Sequence, residues 1–136
     1  MIAIGTATPE TDAESLRAAL RPTTRRTLIL VDDVDRIERT ATEDRLCELL
    51  SDATQEVAIV VAGTGDALRN SLRGLIPLIR RTTNGLLLAP TSTLDGELIG
   101  VRLTRSHLGA TKGRAIIALN GEPVAAQIAI VTSTTR

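Results

Sequence analysis

Residues 28–33 constrain the fold of this chain more than any other stretch. Four branched aliphatic residues follow one another with no polar residue between them, and Asp32 and Asp33 end the run. Such a run predicts a β-strand buried on both faces, as in a parallel sheet. Because open α/β sheets bind ligands at the carboxyl ends of their strands, we expect the two aspartates beside a crevice.

Two roles are open for this pair of aspartates. In phosphate-handling enzymes an aliphatic strand ending in two acids is the Walker B element, in which the first acid holds Mg²⁺ and the second polarises the attacking water. The alternative role is structural: Asp33 caps the helix that follows, and Asp32 is solvated. The rest of the chain has to decide between them.

Composition narrows the class of protein. The 136 residues are 43% hydrophobic and include no Phe, Tyr or Trp, which suits one domain with an aliphatic core and excludes base stacking on aromatic side chains. The single Cys47 and the single His107 exclude an internal disulfide and a Cys/His zinc cluster, and Cys47 is expected to be a packing residue. We find no signal peptide and no apolar run of membrane-spanning length, so we expect a cytosol-like location, with any place at the membrane reached through a larger assembly.

Charge is distributed unevenly along the chain, although the net charge is zero. Residues 1–66 carry 7 basic and 13 acidic side chains, whereas residues 67–136 carry 9 basic and 3 acidic ones. The basic half suits nucleic acid or an acidic partner, because nearly all of its basic residues are Arg. The simpler interpretation is that the two halves neutralise each other within one fold.

The first third of the chain has a β-α-β rhythm. A short strand is expected at 1–5, and Thr8 is the expected N-cap of the helix that follows. The apolar face of that helix consists of Ala13, Leu16 and Leu20. The helix leads into the strand at 28–31.

The middle of the chain repeats this rhythm. A short turn at 34–37 and a helix capped by Thr42 precede a second continuous apolar run at 57–61. A third run follows at 86–89. Both runs predict buried strands of a parallel sheet, and the run at 57–61 predicts a strand that is buried on both faces.

A polar turn follows the strand at 57–61. Parallel strands end at the same edge of a sheet, so Gly63 and Thr64 are expected beside the two aspartates. Thr64 is expected to cap a helix beginning at Asp66, with sensing of a γ-phosphate as a second role. A break or kink in that helix is expected near Ile76, because Gly74 and Pro77 interrupt its apolar pattern.

The C-terminal part of the sequence predicts an antiparallel hairpin, unlike the parallel strands predicted before it. A tight one-turn element is expected at 95–100, and strands at 115–119 and 124–131 flank Asn120-Gly121, a strong hairpin signal. Pro123 suits the start of an edge strand. We therefore expect one partial domain over 1–136, with an α/β core at 1–110 and a hairpin and tail at 111–136.

The order of these segments resembles the FtsK/SpoIIIE-type ATPase domain, especially its actinobacterial branch, which includes the EccC-like motors of type VII secretion. The resemblance runs from about Arg26 to Val131. It rests on 60–63 with 66–69, on 80–88, on 94–103, on 112–115 and on 127–129.

The resemblance implies part of a RecA-like P-loop core, with a mostly parallel sheet, flanking helices and a C-terminal β-hairpin. It also implies ATP and Mg²⁺ as cofactors, and a ring of ATPase modules or subunits that moves DNA or a secreted protein. In such a ring Arg80 or Arg81 is the candidate arginine finger that reaches a neighbouring subunit's phosphate.

Four site residues follow from matching the family's motifs. Asp32 is the magnesium-linked acid, and Asp33 stands at the position of the catalytic base. Gly63 and Thr64 lie near the position that senses the γ-phosphate.

The chain departs from the family in three ways. It has no G-x-x-x-x-G-K-[ST] motif, since its only Lys is Lys112. Asp33 stands where active members place Glu. Residues 72–78 are not the aromatic and His residues common in the branch.

Because of these departures, we expect the chain to be a fragment or degenerate module of a translocase. Such a module does not hydrolyse ATP alone and needs a P-loop supplied elsewhere. The alternative is a non-enzymatic module that binds a secretion substrate or a partner ATPase subunit. A third hypothesis is direct DNA binding by the basic half, with strong salt dependence.

The missing segment has a structural consequence. In the family's fold the Walker A strand lies between the sensor strand, here 57–61, and the strand that follows, here 86–89. We therefore expect either direct pairing of these two strands, or open edges that a partner or a second copy covers.

Overall fold

The computed structural model describes the chain in six segments, 3–6, 14–15, 18, 27–53, 56–109 and 111–129. The contacts within the chain divide it into two units, Met1–Ile79 and Arg80–Arg136. Each unit contains one three-stranded sheet. The fold is α/β.

The first unit is built on a parallel sheet with the strand order β1-β2-β3. Its strands are β1 (Ala3–Thr6), β2 (Thr27–Val31) and β3 (Val57–Val61). A 3₁₀ helix at Val34–Ile37 follows β2. The α-helices are α1 (Ala41–Ser51), α2 (Gly65–Asn70) and α3 (Leu75–Arg80), whose last residue is the first of the second unit.

The central strand β2 provides the middle of an aliphatic core. It pairs with β3 in a register that runs from Thr27 opposite Val57 to Val31 opposite Val61. Ile29 and Val31 are buried on one face of the sheet. The helices pack there through Val34, Ile37, Leu46, Leu49, Leu75 and Ile76. The prediction of an aliphatic core is confirmed.

The opposite face of this sheet is not covered to the same degree. Leu30 is 40% exposed and Val60 is 53% exposed. The prediction that both strands are buried on both faces is therefore wrong. The reason is that the side chains of the core cluster lie on the face of Ile29 and Val31, and alternate residues of a strand point the other way.

Helix α1 begins two residues earlier than the sequence suggested. Thr40 has extended backbone angles, and its hydroxyl oxygen accepts a hydrogen bond from the Glu43 N–H at 3.3 Å. Thr42 lies inside the helix and is buried. The cap assigned to Thr42 is therefore wrong, and Thr40 fills that role at the spacing of a capping box.

Glu43 is the most buried carboxylate that the structure describes, at 6% exposure. Its Oε2 accepts a hydrogen bond from the Arg39 N–H at 2.7 Å. Its Oε1 accepts one from the Leu75 N–H at 3.0 Å, across 32 residues of sequence. The carboxylate thereby holds the first residue of α3 against the start of α1.

The helix predicted from 66 onward is two helices. Residues 71–74 separate α2 from α3, and Leu72, expected on the apolar face, is 82% exposed. The break or kink predicted near Ile76 is a break, and it lies just before α3. Pro77 lies in the first turn of α3, where its missing N–H breaks no helical bond, and the interruption lies instead at Gly74, with φ +77°.

The second unit is built on an antiparallel sheet with the strand order β4-β5-β6. Its strands are β4 (Gly85–Leu88), β5 (Arg114–Leu119) and β6 (Glu122–Gln127). The expected parallel strand at 86–89 is wrong, because Leu86 lies opposite Ile117 in an antiparallel pair. Direct pairing of 57–61 with 86–89 is wrong for the same reason. The expected mostly parallel sheet is therefore replaced by two sheets of opposite type.

The predicted hairpin is confirmed. Asn120 and Gly121 both have positive φ, at 54° and 82°, as a type I′ turn requires. The Asn120 N–H donates to the Asn84 side-chain oxygen at 2.8 Å, and the Gly121 N–H donates to the Thr83 carbonyl at 3.1 Å. Pro123 lies in β6 at the edge of the sheet.

The tight element predicted at 95–100 is a 3₁₀ helix at Thr93–Ile99, closed at its start by a capping box between Ser92 and Asp95. A second 3₁₀ helix spans Arg105–His107. Ile99 lies directly against Gly85, where a Cβ atom would overlap its side chain. One face of the sheet carries exposed apolar side chains, namely Leu86, Leu88, Leu119 and Val124.

Several predictions fall partly outside the described residues. Glu14, Ser15 and Ala18 are helical and exposed, whereas Thr8, Ala13, Leu16 and Leu20 lie outside the described part. The expected strand at 124–131 is described to Ala129, and β6 ends at Gln127. In the described ranges no helix has the length and apolarity to span a membrane.

Gly74 is expected to be the least replaceable glycine of the first unit. A Cβ atom at this position would overlap the Glu43 carboxylate, and the positive φ adds backbone strain. We expect Gly74→Ala to lower the free energy of unfolding by about 3 kcal/mol, measured by urea titration.

Gly121→Ala is the matched control, since its φ is +82° but the nearest atom to a new Cβ is 3.9 Å away. It should cost about 1 kcal/mol. Equal losses in the two variants would contradict the role given to the Glu43 carboxylate.

Candidate functional site

The candidate site is the edge of the parallel sheet where β2 and β3 end. The Ala62 N–H donates to the Val31 carbonyl at 2.8 Å, and the Val34 N–H donates back to the Ala62 carbonyl at 3.0 Å. These bonds continue the pairing of the two strands beyond their last residues. Asp32 and Asp33 therefore leave the sheet beside Gly63 and Thr64, as the sequence predicted.

Both aspartates are exposed at this edge. The Asp32 carboxylate accepts a hydrogen bond from the Asp33 N–H at 3.0 Å. Asp33 has left-handed backbone angles, φ 47° and ψ 55°, which Asp adopts more readily than most residues. The two side chains thus project from a tight bend at the end of the central strand.

Asp33 stands at the N-cap position of the 3₁₀ helix at Val34–Ile37, but its side chain makes no capping hydrogen bond. Its carboxylate lies 3.9 Å from the Arg36 guanidinium, and both side chains are more than half exposed. An ion pair of this kind contributes little to stability. The structural role considered for Asp33 therefore accounts for its backbone and not for its carboxylate.

Thr64 is the N-cap of α2, as predicted. Its hydroxyl oxygen accepts a hydrogen bond from the Ala67 N–H at 3.3 Å. The helix begins at Gly65, one residue before the predicted start at Asp66. At Gly63 a Cβ atom would lie 3.2 Å from the Val34 side chain, so a small residue lets the two strand ends approach closely.

Arg80 and Arg81 belong to the second unit. Arg80 ends α3, and its guanidinium donates to the Glu97 carbonyl at 3.2 Å. Arg81 is exposed. Within the first unit, the structure brings together Asp32, Asp33, Gly63 and Thr64.

The acid pair suits one kind of metal ion. The described part of the chain holds no cluster of three or more His, Cys, Asp or Glu side chains that would form a complete metal site. Mg²⁺ does not require such a cluster, since it is commonly held by one or two carboxylates together with water and substrate phosphate oxygens. Asp32 and Asp33 fit that role, with water and the oxygens of a phosphate as the remaining ligands.

Four further basic residues of the second unit lie in or near its loops. Arg102, Arg105 and Lys112 are exposed, and Arg114 donates to the Ser106 carbonyl at 2.6 Å. His107 has a structural role, because its Nδ1 accepts a hydrogen bond from the Thr104 N–H at 2.9 Å. A neutral ring that accepts through Nδ1 carries its proton on Nε2.

Cys47 is half-buried on α1. Burial raises the pKa of its thiol, and the Glu43 and Asp44 carboxylates raise that pKa further. A thiol with a raised pKa is a poor nucleophile at neutral pH. The interpretation of Cys47 as a packing residue is consistent with this environment.

The carboxylate that the sequence analysis missed is Glu43. Its signal was the Thr-x-x-Glu spacing from Thr40, which places an acid in the first turn of α1. The contact with Leu75 has no local signal in the sequence.

Comparisons with protein-family profiles, with curated proteins and with solved structures found no match to this chain.

Replacement of Thr64 tests its role as a cap. Thr64→Ala removes the acceptor for the Ala67 N–H, so we expect a loss of about 1 kcal/mol in the free energy of unfolding. Thr64→Ser keeps the hydroxyl and should retain most of that stability. Identical losses in both variants, measured by urea titration, would show that the hydroxyl is not the cap.

The reactivity of Cys47 tests its environment. The thiolate is the reactive form, so a raised pKa predicts slower alkylation by iodoacetamide in the folded chain than in urea at the same neutral pH. The folded rate should keep rising with pH beyond the ordinary thiol pKa of about 8.5.

Asp44→Asn removes one of the charges that raise this pKa and should speed the reaction at neutral pH. Glu48→Gln is the control, as Glu48 is an exposed acid of the same helix that does not contribute to the shift. A rate that levels off below the ordinary thiol pKa would refute the assignment.

Proposed function

We propose that this chain is a module of an FtsK/SpoIIIE-type translocase ATPase, which contributes the magnesium-facing residues of a nucleotide site and does not hydrolyse ATP alone. The observation that carries the proposal is the position of Asp32 and Asp33. They lie at the carboxyl end of the central strand of a parallel sheet, beside Gly63 and Thr64 at the end of the next strand.

The strand order supports this proposal. A RecA-like core places the acid-bearing strand next to the sensor strand, and β2 and β3 are neighbours here. In that core the Walker A strand lies on the other side of the sensor strand. β3 is an edge strand in the described sheet, so its second side is available for such a neighbour.

The side-chain chemistry also supports it. The Asp33 carboxylate makes no capping bond, and the Asp32 carboxylate has an oxygen besides the one that accepts the Asp33 N–H. Both acids are exposed at the sheet edge, where open α/β folds bind their ligands. In this proposal Asp32 holds Mg²⁺ and Asp33 occupies the position of the catalytic base.

The absence of a phosphate cradle limits the activity of the chain alone. The sequence has no Walker A motif, and Lys112 lies in the turn that precedes β5. Backbone N–H groups and the Walker A lysine provide most of the affinity for a triphosphate. In this proposal the P-loop is supplied from outside these 136 residues, and Arg80 or Arg81 would act across the resulting assembly.

A second candidate function is the binding of a partner protein, such as a secreted substrate or an ATPase subunit, without catalysis. It is favoured by the exposed aliphatic side chains of both sheets. Val60 is 53% exposed in the first unit and Leu88 is 65% exposed in the second. Exposed apolar patches of this kind are typical of interaction surfaces.

Nucleotide binding by the full chain tests the proposal. We expect weak binding of a fluorescent ATP analogue that requires Mg²⁺ and is abolished by EDTA, with no release of phosphate. Asp32→Asn should lower the Mg²⁺-dependent affinity about tenfold or more, because it removes the charged metal ligand.

Glu48→Gln is the matched control, since it removes one exposed negative charge on α1 and leaves the sheet edge intact. It should bind as the original chain does. An unchanged Mg²⁺-dependent affinity in Asp32→Asn would contradict the assignment of Asp32 as the metal ligand. No Mg²⁺-dependent binding by the original chain would leave partner binding as the function.

A further inference from the structure

The outer edge of β3 lacks the features that normally keep an edge strand from pairing. β3 has one strand neighbour among the described residues, β2, and its pairing with β2 is uninterrupted over five residues. Residues Val57–Val61 include no charged residue, no Pro and no Gly. Natural edge strands usually carry a charge, a Pro or a bulge, because an unprotected edge accepts another strand.

The edges of the second unit differ from that of β3. β6 carries Glu122 and Pro123, and Pro has no N–H to offer to a further strand. β4 is only four residues long and is followed by Ala89 with φ 44°. Among the described edges whose side chains are also described, β3 is the longest unprotected one.

The sequence of β3 is complementary to itself in the antiparallel direction. If two copies pair with Ile59 opposite Ile59, each Val57 lies opposite the partner's Val61 and each Ala58 lies opposite the partner's Val60. The pairs are aliphatic throughout. The Glu56 carboxylates lie at opposite ends of the paired strands, about 20 Å apart, so they do not repel each other strongly.

We propose that β3 pairs with β3 of a second copy, antiparallel and centred on Ile59, which joins two three-stranded sheets into one sheet of six strands. In this register odd-numbered residues lie opposite odd-numbered ones, and their side chains point to the same face. The half-buried face of one sheet therefore continues into the half-buried face of the other. The exposed Val60 then packs against the partner's Ala58. The strand pair supplies backbone hydrogen bonds and apolar cross-strand contacts.

A second copy fits this edge better than an unrelated strand, because a two-fold axis through Ile59 covers both edges with one surface. The interface closes and leaves no further β3 edge exposed. The dimer occupies the edge of β3 that a Walker A strand would need in the proposed function, so the two pairings exclude each other and such a strand would have to displace the second copy. The pairing itself does not depend on nucleotide binding, and it is tested in buffer without nucleotide or Mg²⁺.

Sedimentation equilibrium of the full chain is the first test. We expect a monomer–dimer equilibrium in a dilution series. Val60→Lys places a charge in the strand pair and removes an apolar contact, so it should raise the dimer dissociation constant about tenfold or more. Circular dichroism would establish that the variant is folded.

Val124→Lys is the matched control, since Val124 is the same residue type at nearly the same exposure, 55%, on the protected strand β6. It should dimerise as the original chain does. An original chain that remains monomeric at every concentration would overturn the proposal and leave the edge to another protein or to none. Equal effects of the two substitutions would also overturn it.

Cross-linking tests the register. In a Cys47→Ala background, Ile59→Cys places two thiols opposite each other across the two-fold axis, within the range of a disulfide. Val57 is half-buried on the same face, but in a Val57→Cys dimer the two introduced thiols would be separated by about 14 Å. We expect an oxidised dimer from Ile59→Cys only. Equal yields from the two variants would contradict pairing centred on Ile59.

Discussion

The first unit depends on one buried carboxylate. Glu43 accepts hydrogen bonds from the N–H groups of Arg39 and Leu75, which lie on either side of it in the fold and 36 residues apart in the sequence. A buried carboxylate needs such donors, because its transfer from water is unfavourable without them. The close approach is possible because Gly74 has no side chain. With Leu75 held in place, Leu75 and Ile76 complete the core above β2.

The sheet edge that carries the candidate site follows from the core. Once Ile29 and Val31 are packed, the register of β2 and β3 is set, and the residues after both strands leave the sheet together. Asp32, Asp33 and Thr64 could therefore be placed at one edge from the sequence alone, since parallel strands have one carboxyl end in common. The left-handed backbone of Asp33 and its missing capping bond could not be predicted from the sequence, because both depend on the path of the chain after the strand.

Local signals in the sequence were reliable at two places where the determinant is itself local, although at the start of α1 they placed the cap at Thr42 instead of Thr40. The Asn120-Gly121 turn and the cap at Thr64 are set by residues within a few positions. Burial and pairing were less predictable, because a continuous apolar run looks the same whether one face or two are covered. The direction of β4 depends on β5, about 30 residues later, and the contact of Glu43 with Leu75 spans 32 residues. The periodicity of apolar residues within one segment does not indicate which distant segment it pairs with.

The two ends of β4 differ from the hairpin turn in conformational energy. Thr83 and Ala89 flank the strand with φ 50° and 44°, in a region that side chains with a Cβ atom rarely adopt. Each is less stable there than in an extended conformation by about 1 kcal/mol. The Asn120-Gly121 turn carries less of this strain, since Asn and Gly adopt positive φ readily. Because separation of β4 from β5 would release this strain, we expect local opening of the sheet to begin at β4 and the β5–β6 pair to persist longer.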